Sequence, residues 1–272
     1  MTRDDDSMWI DRSLLTGAQY RTDANLAARQ SIYAYQRPAM DLPSLVLELA
    51  GLHGDETVAD VGCGNGVYLA ELARRGQAGP VLGADLSVGM LRAAGGRAPG
   101  AGLVVADAAG LPLRDDACDL TLAMHMLYHV PDQEAVAREL RRVTRPGGKV
   151  LVGLNGSDHL RELRVLINEA LPAAGWRAGP ADGAAPVVSE RLNLDGGHEL
   201  LAGVFTSVTR HDFTAELLLP GPEPVEAYLR SMIITQELPE PESFAAAVLS
   251  RIPAGRDGVF RVRTHSGCLV CS

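Results

Sequence analysis

A carboxylate and three glycines follow one another at a spacing that suits a ligand-binding turn. Segment 60–66 reads D-V-G-C-G-N-G; a short apolar run precedes it and an amphipathic stretch follows it. Glycines at such a strand-to-helix turn allow positive φ angles and close approach of the backbone to a ligand. Dinucleotide-binding proteins space them as G-x-G-x-x-G around a pyrophosphate. Alternating glycines preceded by Asp60 instead favour a nucleoside ligand that carries an ammonium group.

Two further acids follow the next two apolar runs. Asp85 stands where a carboxylate accepts hydrogen bonds from both hydroxyls of a ribose, and Asp107 stands where an acceptor can take an adenine amino group. Either acid alone is more often a turn or helix-cap residue. With Asp60, however, three acids would meet at the carboxyl ends of parallel strands, where open α/β sheets bind ligands. The pattern therefore predicts one nucleoside site.

The elements that must position these acids are short apolar strands separated by amphipathic helices. This alternation predicts a parallel sheet covered by helices on both faces. A segment rich in Ala, Gly and Pro, 172–197, interrupts the alternation and is predicted to be a mobile segment or lid. The predicted strands are 58–61, 81–84, 103–106, 120–124, 149–154, 206–219 and 259–271, and the predicted helices include 25–35, 41–52, 66–75, 88–94, 133–143, 225–232 and 243–251.

Composition narrows the class of protein. The chain has 272 residues, 46% of them apolar, and a net charge of −9, so it lacks the basic surface of a nucleic-acid binder. No apolar run is long enough for a membrane span, and the acidic N-terminus does not resemble a signal peptide. We therefore expect a cytoplasmic protein without nucleic-acid or membrane partners, and leave its oligomeric state open. Its four cysteines, which include a C-terminal C-x-x-C, are expected to be thiols.

Residues 57–154 resemble the class I S-adenosylmethionine-dependent methyltransferases, particularly the branch with ubiquinone/menaquinone-biosynthesis-type domains. One departure is Cys118, where the family usually has an aromatic residue. The resemblance rests on these segments, in the family's order: 58–66 (VADVGCGNG), 83–87 (GADLS) with 90–91 (ML), 106–108 (ADA), 111–119 (LPLRDDACD), 129–132 (HVPD) and 142–148 (RVTRPGG).

The resemblance implies an α/β fold with a Rossmann-like seven-stranded sheet, mostly parallel with an antiparallel last strand, and helices on both faces. It divides the chain into an N-terminal helical cap (1–52), a cofactor-binding core (53–156) and an acceptor side (157–272) that completes the same domain. Helices within 223–251 would cover the acceptor. The implied cofactor is S-adenosylmethionine, and the product S-adenosylhomocysteine.

The resemblance also implies roles for individual residues. The glycine loop would approach the methionine part of the cofactor. Tyr20, if it is not an ordinary core residue, would contact the methionine carboxylate. The implied cofactor-binding residues are Asp60 at the amino group, Gly62, Gly64 and Asn65 in the loop, Asp85 at the ribose, Leu86 and Met90 beside the adenine, Asp107 and Ala108 at its edge, and Met124 near the sulfonium.

The catalytic candidate is His125, which is expected to face the methyl acceptor as a base, an orienting contact or a passive wall. His129 is expected to be a packing residue. The four-residue spacing of these histidines also suggests a metal site, but no third ligand is evident, so no metal is predicted. Further acceptor contacts are expected from Tyr33, Arg37 and Asn155 or from the segment 172–197.

The sequence does not identify the acceptor. The Asn-Pro-Pro-aromatic tetrad of adenine and glutamine methylases and the Pro-Cys pair of cytosine methylases are both absent. We therefore expect a small-molecule acceptor, in particular a specialised metabolite, or a modified peptide. The alternatives are an RNA or protein methyltransferase and a catalytically silent protein that binds S-adenosylmethionine. An NAD(P)-dependent oxidoreductase would require the other glycine spacing.

Overall fold

The computed structural model describes residues 9–176, 191–253 and 257–272. Its strands form a single sheet in the order β1-β7-β8-β6-β5-β2-β3-β4. Strands β2 to β6 run parallel, whereas β8 is antiparallel to both of its neighbours and β1 is antiparallel to β7. The strands are β1 Gln36–Arg37, β2 Val58–Val61, β3 Val81–Asp85, β4 Gly102–Val105, β5 Cys118–Met124, β6 Thr144–Asn155, β7 Val208–Leu219 and β8 Phe260–Cys271.

Helices cover both faces of this sheet. Helix α1 continues as a π-helical turn, Leu15–Gln19, and α2 continues as a 3-10 turn, Ile32–Tyr35. Further 3-10 turns are Leu127–His129 and Leu171–Ala174. The α-helices are α1 Arg12–Leu14, α2 Ala24–Ser31, α3 Leu42–Ala50, α4 Val67–Arg74, α5 Val88–Arg97, α6 Gln133–Val143, α7 Arg161–Ala170, α8 Leu194–Ala202, α9 Glu223–Arg230, α10 Ile233–Glu237 and α11 Pro241–Leu249.

The apolar core has three main parts: one on each face of the sheet, and one between helices and the strands β7 and β8. Strand β2 is buried along its whole length, as expected for a strand that is apolar at every position except Asp60. On one face α6 and α8 pack on β5 and β6, and on the other α3 and α4 pack on β2 and β5. A separate apolar cluster joins α7, α9 and α11 to β7 and β8. This cluster holds the second half of the chain against the carboxyl ends of the parallel strands.

The predicted fold is confirmed, with one additional strand. Each of the seven predicted strands is present, and the last strand is antiparallel. The eighth, β1, is only two residues long and has no apolar pattern, so the sequence did not indicate it. The predicted mobile segment falls partly on the Leu171–Ala174 turn and the start of α8, while 177–190 lie outside the described residues. The division into cap, core and acceptor side remains a prediction.

Helices α7 and α8 were not predicted. Helix α7 buries Leu163, Ile167 and Ala170, a spacing of four and three residues that was available as a sequence signal. Helix α8 has two glycines near its start and is capped by Asn193, whose side chain accepts from the Asp195 and Gly196 amides. In the described part of the chain, no helix is long and apolar enough to cross a membrane.

A histidine in β8 lies between two carboxylates, one in the neighbouring strand β7 and one in the loop after β6. His265 in β8 contacts Asp158, after β6, at 2.5 Å and Asp212 in β7 at 2.7 Å. Burial lowers the pKa of His265, but its hydrogen bonds to Asp212 and Asp158 outweigh burial, and the net pKa is raised. The protonated imidazole can donate to both carboxylates at once.

This arrangement predicts a pH dependence of stability. Because the folded-state pKa of His265 is raised, its stabilisation is fully present below its ordinary pKa of about 6.5 and is lost as pH rises through the folded-state value. The free energy of unfolding, measured by denaturant titration from pH 5.5 to 9, should therefore lose this contribution in alkali. The difference between wild type and His265→Gln isolates it from other histidines. A difference that is constant with pH would contradict the assignment.

Candidate functional site

A cavity of about 690 Å³ opens at the carboxyl ends of the parallel strands. It runs from the glycine loop between β2 and α4 to the helices of the second half of the chain. The turn after α1, helix α2 and the turn after α2 contribute to its other wall. It is lined by every predicted cofactor-binding residue, Tyr20, Asp60, Gly62, Gly64, Asn65, Asp85, Leu86, Met90, Asp107, Ala108 and Met124, and also by His125.

The loop after β2 requires glycine for two separate reasons. Gly62 has a φ of +68°, and a Cβ there would lie 2.8 Å from Cβ of Met126. Gly64 has a φ of +53°, in the left-handed region that side chains rarely adopt. Its backbone lines the cavity, facing the strand end at β3. Asn65 is buried, and its amide group donates to Gln30 in α2, which ties the loop to the opposite wall.

Asp60 is a buried carboxylate without a partner. Its side chain is 1% exposed, and neither oxygen has a hydrogen-bond partner among the described residues. Burial, together with the charge of Asp85, raises the pKa of Asp60 to about 7. A buried charge of this kind is costly unless it is paired. The chemistry of the site therefore suits a ligand whose ammonium group pairs with Asp60.

Asp85 is oriented by the backbone around it. One carboxylate oxygen accepts from the Gly64 amide at 2.9 Å and the other from the Ser87 amide at 2.8 Å. Burial raises the pKa of Asp85, although both amides oppose that shift. Each carboxylate oxygen can accept more than one hydrogen bond. Asp85 can therefore hold a diol while it stays fixed to the loop.

The residues predicted to contact the adenine lie just after β3, in α5 and after β4. Met90 is buried in α5, Ala108 is also buried, and Leu86 is 36% exposed at the cavity rim. Asp107 accepts from the Ala109 amide and forms an ion pair with Arg12 of α1. No sequence pattern indicated this ion pair, which joins the N-terminal segment to the strand ends.

His125 follows β5 directly and has an unusual backbone. Its φ is +55°, and its amide donates to the Gly153 carbonyl at 2.9 Å. A left-handed conformation at a residue other than glycine is strained, and such residues concentrate at functional sites. The imidazole has no hydrogen-bond partner within the described residues, and burial lowers its pKa to about 4. A neutral ring therefore faces the cavity with a free nitrogen lone pair.

Tyr20 and His129 form a closed hydrogen-bonded pair. The Trp9 carbonyl can only accept, so Nδ1 of His129 carries the proton, and burial lowers the pKa of this ring to about 4. Nε2 of His129 must then accept from the Tyr20 hydroxyl, which lies at 3.1 Å. The Tyr20 oxygen in turn accepts from Arg29 at 3.3 Å. The pair fits the packing role expected for His129.

Arg29 is the main charged residue that sequence reasoning missed. It lines the cavity from α2, and it also donates a hydrogen bond to the Ser231 carbonyl at 2.7 Å. Its guanidinium lies over the Tyr20 ring, 5.5 Å from the centroid. Among the described residues no carboxylate pairs with it. Arg29 therefore presents a positive charge to the cavity that an anionic ligand group would neutralise.

Three further expectations concern the acceptor side. Tyr33 and Asn155 line the cavity as expected. Arg37 does not: it is exposed in β1, and its guanidinium donates to the carbonyls of Ala34 and Gln36. The sequence also missed His159, a buried cavity residue before α7. Across the described ranges, no group of three or more His, Cys, Asp or Glu residues is arranged to hold a metal ion.

The fold and the strand-end cavity together define a Rossmann-like α/β protein that binds a nucleoside-containing ligand. Comparison with known proteins makes the class specific. Residues 59–152 match the family described as a methyltransferase domain. The chain thus carries a class I S-adenosylmethionine-dependent methyltransferase domain, which confirms the resemblance, and S-adenosylmethionine is the cofactor of that domain.

Two relatives of known description match part of the chain. The methyltransferase GfsG of Streptomyces halstedii is 42% identical over 101 residues, which cover 35% of this chain and 36% of the relative. The ubiquinone/menaquinone biosynthesis C-methyltransferase UbiE of Acidiphilium cryptum is 34% identical over 161 residues, 54% of this chain and 63% of the relative. The chain thus spans between about a third and two thirds of the length of these relatives.

Solved structures match over a greater length. The YcgJ protein of Bacillus subtilis is 16% identical with a TM-score of 0.57, covering 84% of this chain and 96% of its own. A protein described as a methyltransferase from an antibiotic biosynthesis pathway of Anabaena variabilis is 19% identical with a TM-score of 0.60, covering 85% and 96%. At these identities the similarity establishes the fold alone.

Proposed function

We propose that the chain is a methyltransferase that moves the methyl group of S-adenosylmethionine to a small-molecule or modified-peptide acceptor. The observation that carries the proposal is the continuous cavity, which joins the glycine loop and Asp60 to His125 and the acceptor-side helices. The relatives include a ubiquinone/menaquinone biosynthesis C-methyltransferase. That description supports a biosynthetic small molecule as the acceptor.

Two opposite charges fit the methionine end of the cofactor. Asp60 has two unpaired buried oxygens that suit an ammonium group, and Arg29 has a guanidinium without a carboxylate partner in the described structure. We assign the cofactor carboxylate to Arg29 rather than to Tyr20, because the Tyr20 hydrogen is engaged with His129. Tyr20 then positions Arg29. Asp85 would hold the ribose, and Met90 and Leu86 would lie beside the adenine.

The cofactor supplies an electrophilic methyl group on a sulfonium, so the protein mainly aligns the acceptor and excludes water. For a hydroxyl acceptor, a lone pair of its oxygen forms the bond to the methyl carbon as the carbon–sulfur bond breaks. The electrons of that bond stay on sulfur, and the acceptor proton must leave. As the acceptor oxygen bonds to the methyl carbon it gains positive charge, and its O–H group becomes strongly acidic. His125 can therefore take the proton despite the lowered pKa of its imidazole, about 4.

The pKa of Asp60 predicts a pH dependence of cofactor binding. Only the carboxylate form pairs with an ammonium group, so affinity for S-adenosylmethionine should fall as pH drops below about 7, by up to ~10-fold per pH unit. An α-amino group, with a pKa of about 7.7–8.0, stays protonated in that range. Calorimetric titrations from pH 5.0 to 7.0 measure the slope. Asp60→Asn should bind weakly and lose the slope; a slope retained in that variant would contradict the assignment.

The proposed function is tested by incubating the protein with methyl-labelled S-adenosylmethionine and cell extract separated by mass. Label should appear in a low-mass fraction and not in a parallel reaction with Gly64→Arg protein. Label confined to RNA or to large proteins would overturn the assignment of the acceptor class. An absence of label in every fraction, together with tight cofactor binding, would instead indicate a catalytically silent binding protein.

A further inference from the structure

Three residues from separate elements form a hydrogen-bonded chain on the acceptor side of the cavity. Tyr33 lies in the 3-10 turn after α2, His159 in the loop between β6 and α7, and His265 in β8. The Tyr33 oxygen lies 2.9 Å from Nε2 of His159, and the backbone amide of His265 donates to Nδ1 of His159 at 3.0 Å. His159 is buried, and both Tyr33 and His159 line the cavity.

The backbone amide fixes the proton of His159. An amide N–H can only donate, so Nδ1 of His159 is the unprotonated, accepting nitrogen. Burial lowers the pKa of His159 to about 3, so the ring is neutral and carries its one proton on Nε2. Nε2 therefore donates to the Tyr33 oxygen. This polarity is opposite to that of the Tyr20–His129 pair, in which the tyrosine donates.

The Tyr33 hydroxyl therefore keeps its own hydrogen for another partner. No other hydrogen bond of this hydroxyl is formed within the described residues. Burial and the neighbouring Tyr228 raise the pKa of Tyr33, so the hydrogen stays in place at neutral pH. Of the two tyrosine–histidine pairs, only this one leaves a donor available to a molecule in the cavity.

The wall around Tyr33 is largely apolar. Tyr33 packs with Leu163, Ile167, Tyr228 and Met232, all of which also line the cavity. An ionised acceptor group would lose its hydration against these apolar side chains, which is costly, whereas an uncharged apolar molecule with an oxygen would satisfy the free donor.

We propose that Tyr33 binds the methyl acceptor by donating a hydrogen bond to one of its oxygens, that His159 positions Tyr33, and that the acceptor is an uncharged, largely apolar oxygen compound. This inference rests on the proposed methyltransferase function. It concerns the acceptor half of the cavity and is separate from the Asp60 and Arg29 contacts to the cofactor.

The test measures binding of three naphthalene probes to protein saturated with S-adenosylhomocysteine. The probes are 2-naphthol, the cationic 2-naphthylmethylammonium and the anionic 2-naphthoate. Calorimetry should show the tightest binding for 2-naphthol, and Tyr33→Phe should weaken it by about three- to tenfold, the effect of one hydrogen bond. The affinity for S-adenosylhomocysteine should be unchanged. The matched control is Tyr35→Phe, because Tyr35 lies in the same turn and its hydroxyl forms no hydrogen bond within the described ranges.

A second readout follows the proposed tautomer directly. Nitrogen-15 spectra of histidine-labelled protein should show His159 protonated at Nε2, and Tyr33→Phe should shift that nitrogen. Equal affinity of 2-naphthol for wild type and Tyr33→Phe, tightest binding of the ammonium probe, no probe binding, or a proton on Nδ1 would each overturn the proposal. Failure of S-adenosylhomocysteine itself to bind wild-type protein would overturn the proposed function instead.

Discussion

Replacing Gly64 with arginine is expected to abolish binding of S-adenosylmethionine. Gly64 has a φ of +53°, its backbone lines the cavity, and its amide donates to Asp85. An arginine side chain would fill the space beside the loop and add a positive charge close to Asp60, where the cofactor ammonium is expected. We expect the affinity to fall by at least ~100-fold, equivalent to about 2.8 kcal/mol. Titration calorimetry measures the change.

The matched control for this variant is Gly96→Arg. Gly96 is exposed in α5 and lies away from the cavity lining, and a Cβ added there would meet no atom within 4 Å. The control variant should bind S-adenosylmethionine as wild type does. Thermal unfolding of both variants separates loss of binding from loss of folding. Wild-type affinity in a folded Gly64→Arg protein would refute the position of the cofactor.

Replacing His125 with asparagine is expected to slow methyl transfer and leave cofactor binding intact. Asparagine tolerates the left-handed backbone that His125 adopts, so the local fold should persist. The variant cannot take up the acceptor proton. For a hydroxyl acceptor the rate of label transfer should fall by about 100- to 10,000-fold, the range for loss of a general base. The measurement is the initial rate with saturating labelled cofactor.

His53→Asn provides the control for this substitution, because His53 is exposed in the loop before β2 and does not line the cavity. Its transfer rate should equal that of wild type. A His125→Asn protein that transfers label at the wild-type rate would show that the imidazole is a passive wall. A carbanion or amine acceptor, which requires little base assistance, would give that result.

The parallel sheet could be predicted because local sequence specifies it. Short, mostly apolar runs such as β2 place apolar side chains on both faces of a strand, so they are typical of a strand that is buried on both faces. The loop glycines and Asp60 could be located for a related reason: the glycines follow such a strand directly, and Asp60 lies near its carboxyl end. The two-residue strand β1 was missed because its pairing with β7 depends on tertiary contacts and not on any pattern of its own.

The contacts across the cavity could not be predicted in this way. Arg29 is one of several arginines in a polar segment, and only the fold places it against Tyr20 and Ser231. Likewise, the opposite polarities of the two tyrosine–histidine pairs depend on which backbone group meets each ring: the Trp9 carbonyl or the His265 amide. These partners are distant in sequence, so neither periodicity nor spacing indicates them.

Calorimetric titration of the wild-type protein with S-adenosylmethionine, S-adenosylhomocysteine and NADH tests the central claim most directly. If the cavity is the cofactor site of a methyltransferase, both sulfur nucleosides should bind with one site per chain, and each should displace the other. NADH should not bind, because the loop lacks the glycine spacing that holds a pyrophosphate. Saturable binding of NADH, or no binding of S-adenosylmethionine at pH 7.5, would contradict the account.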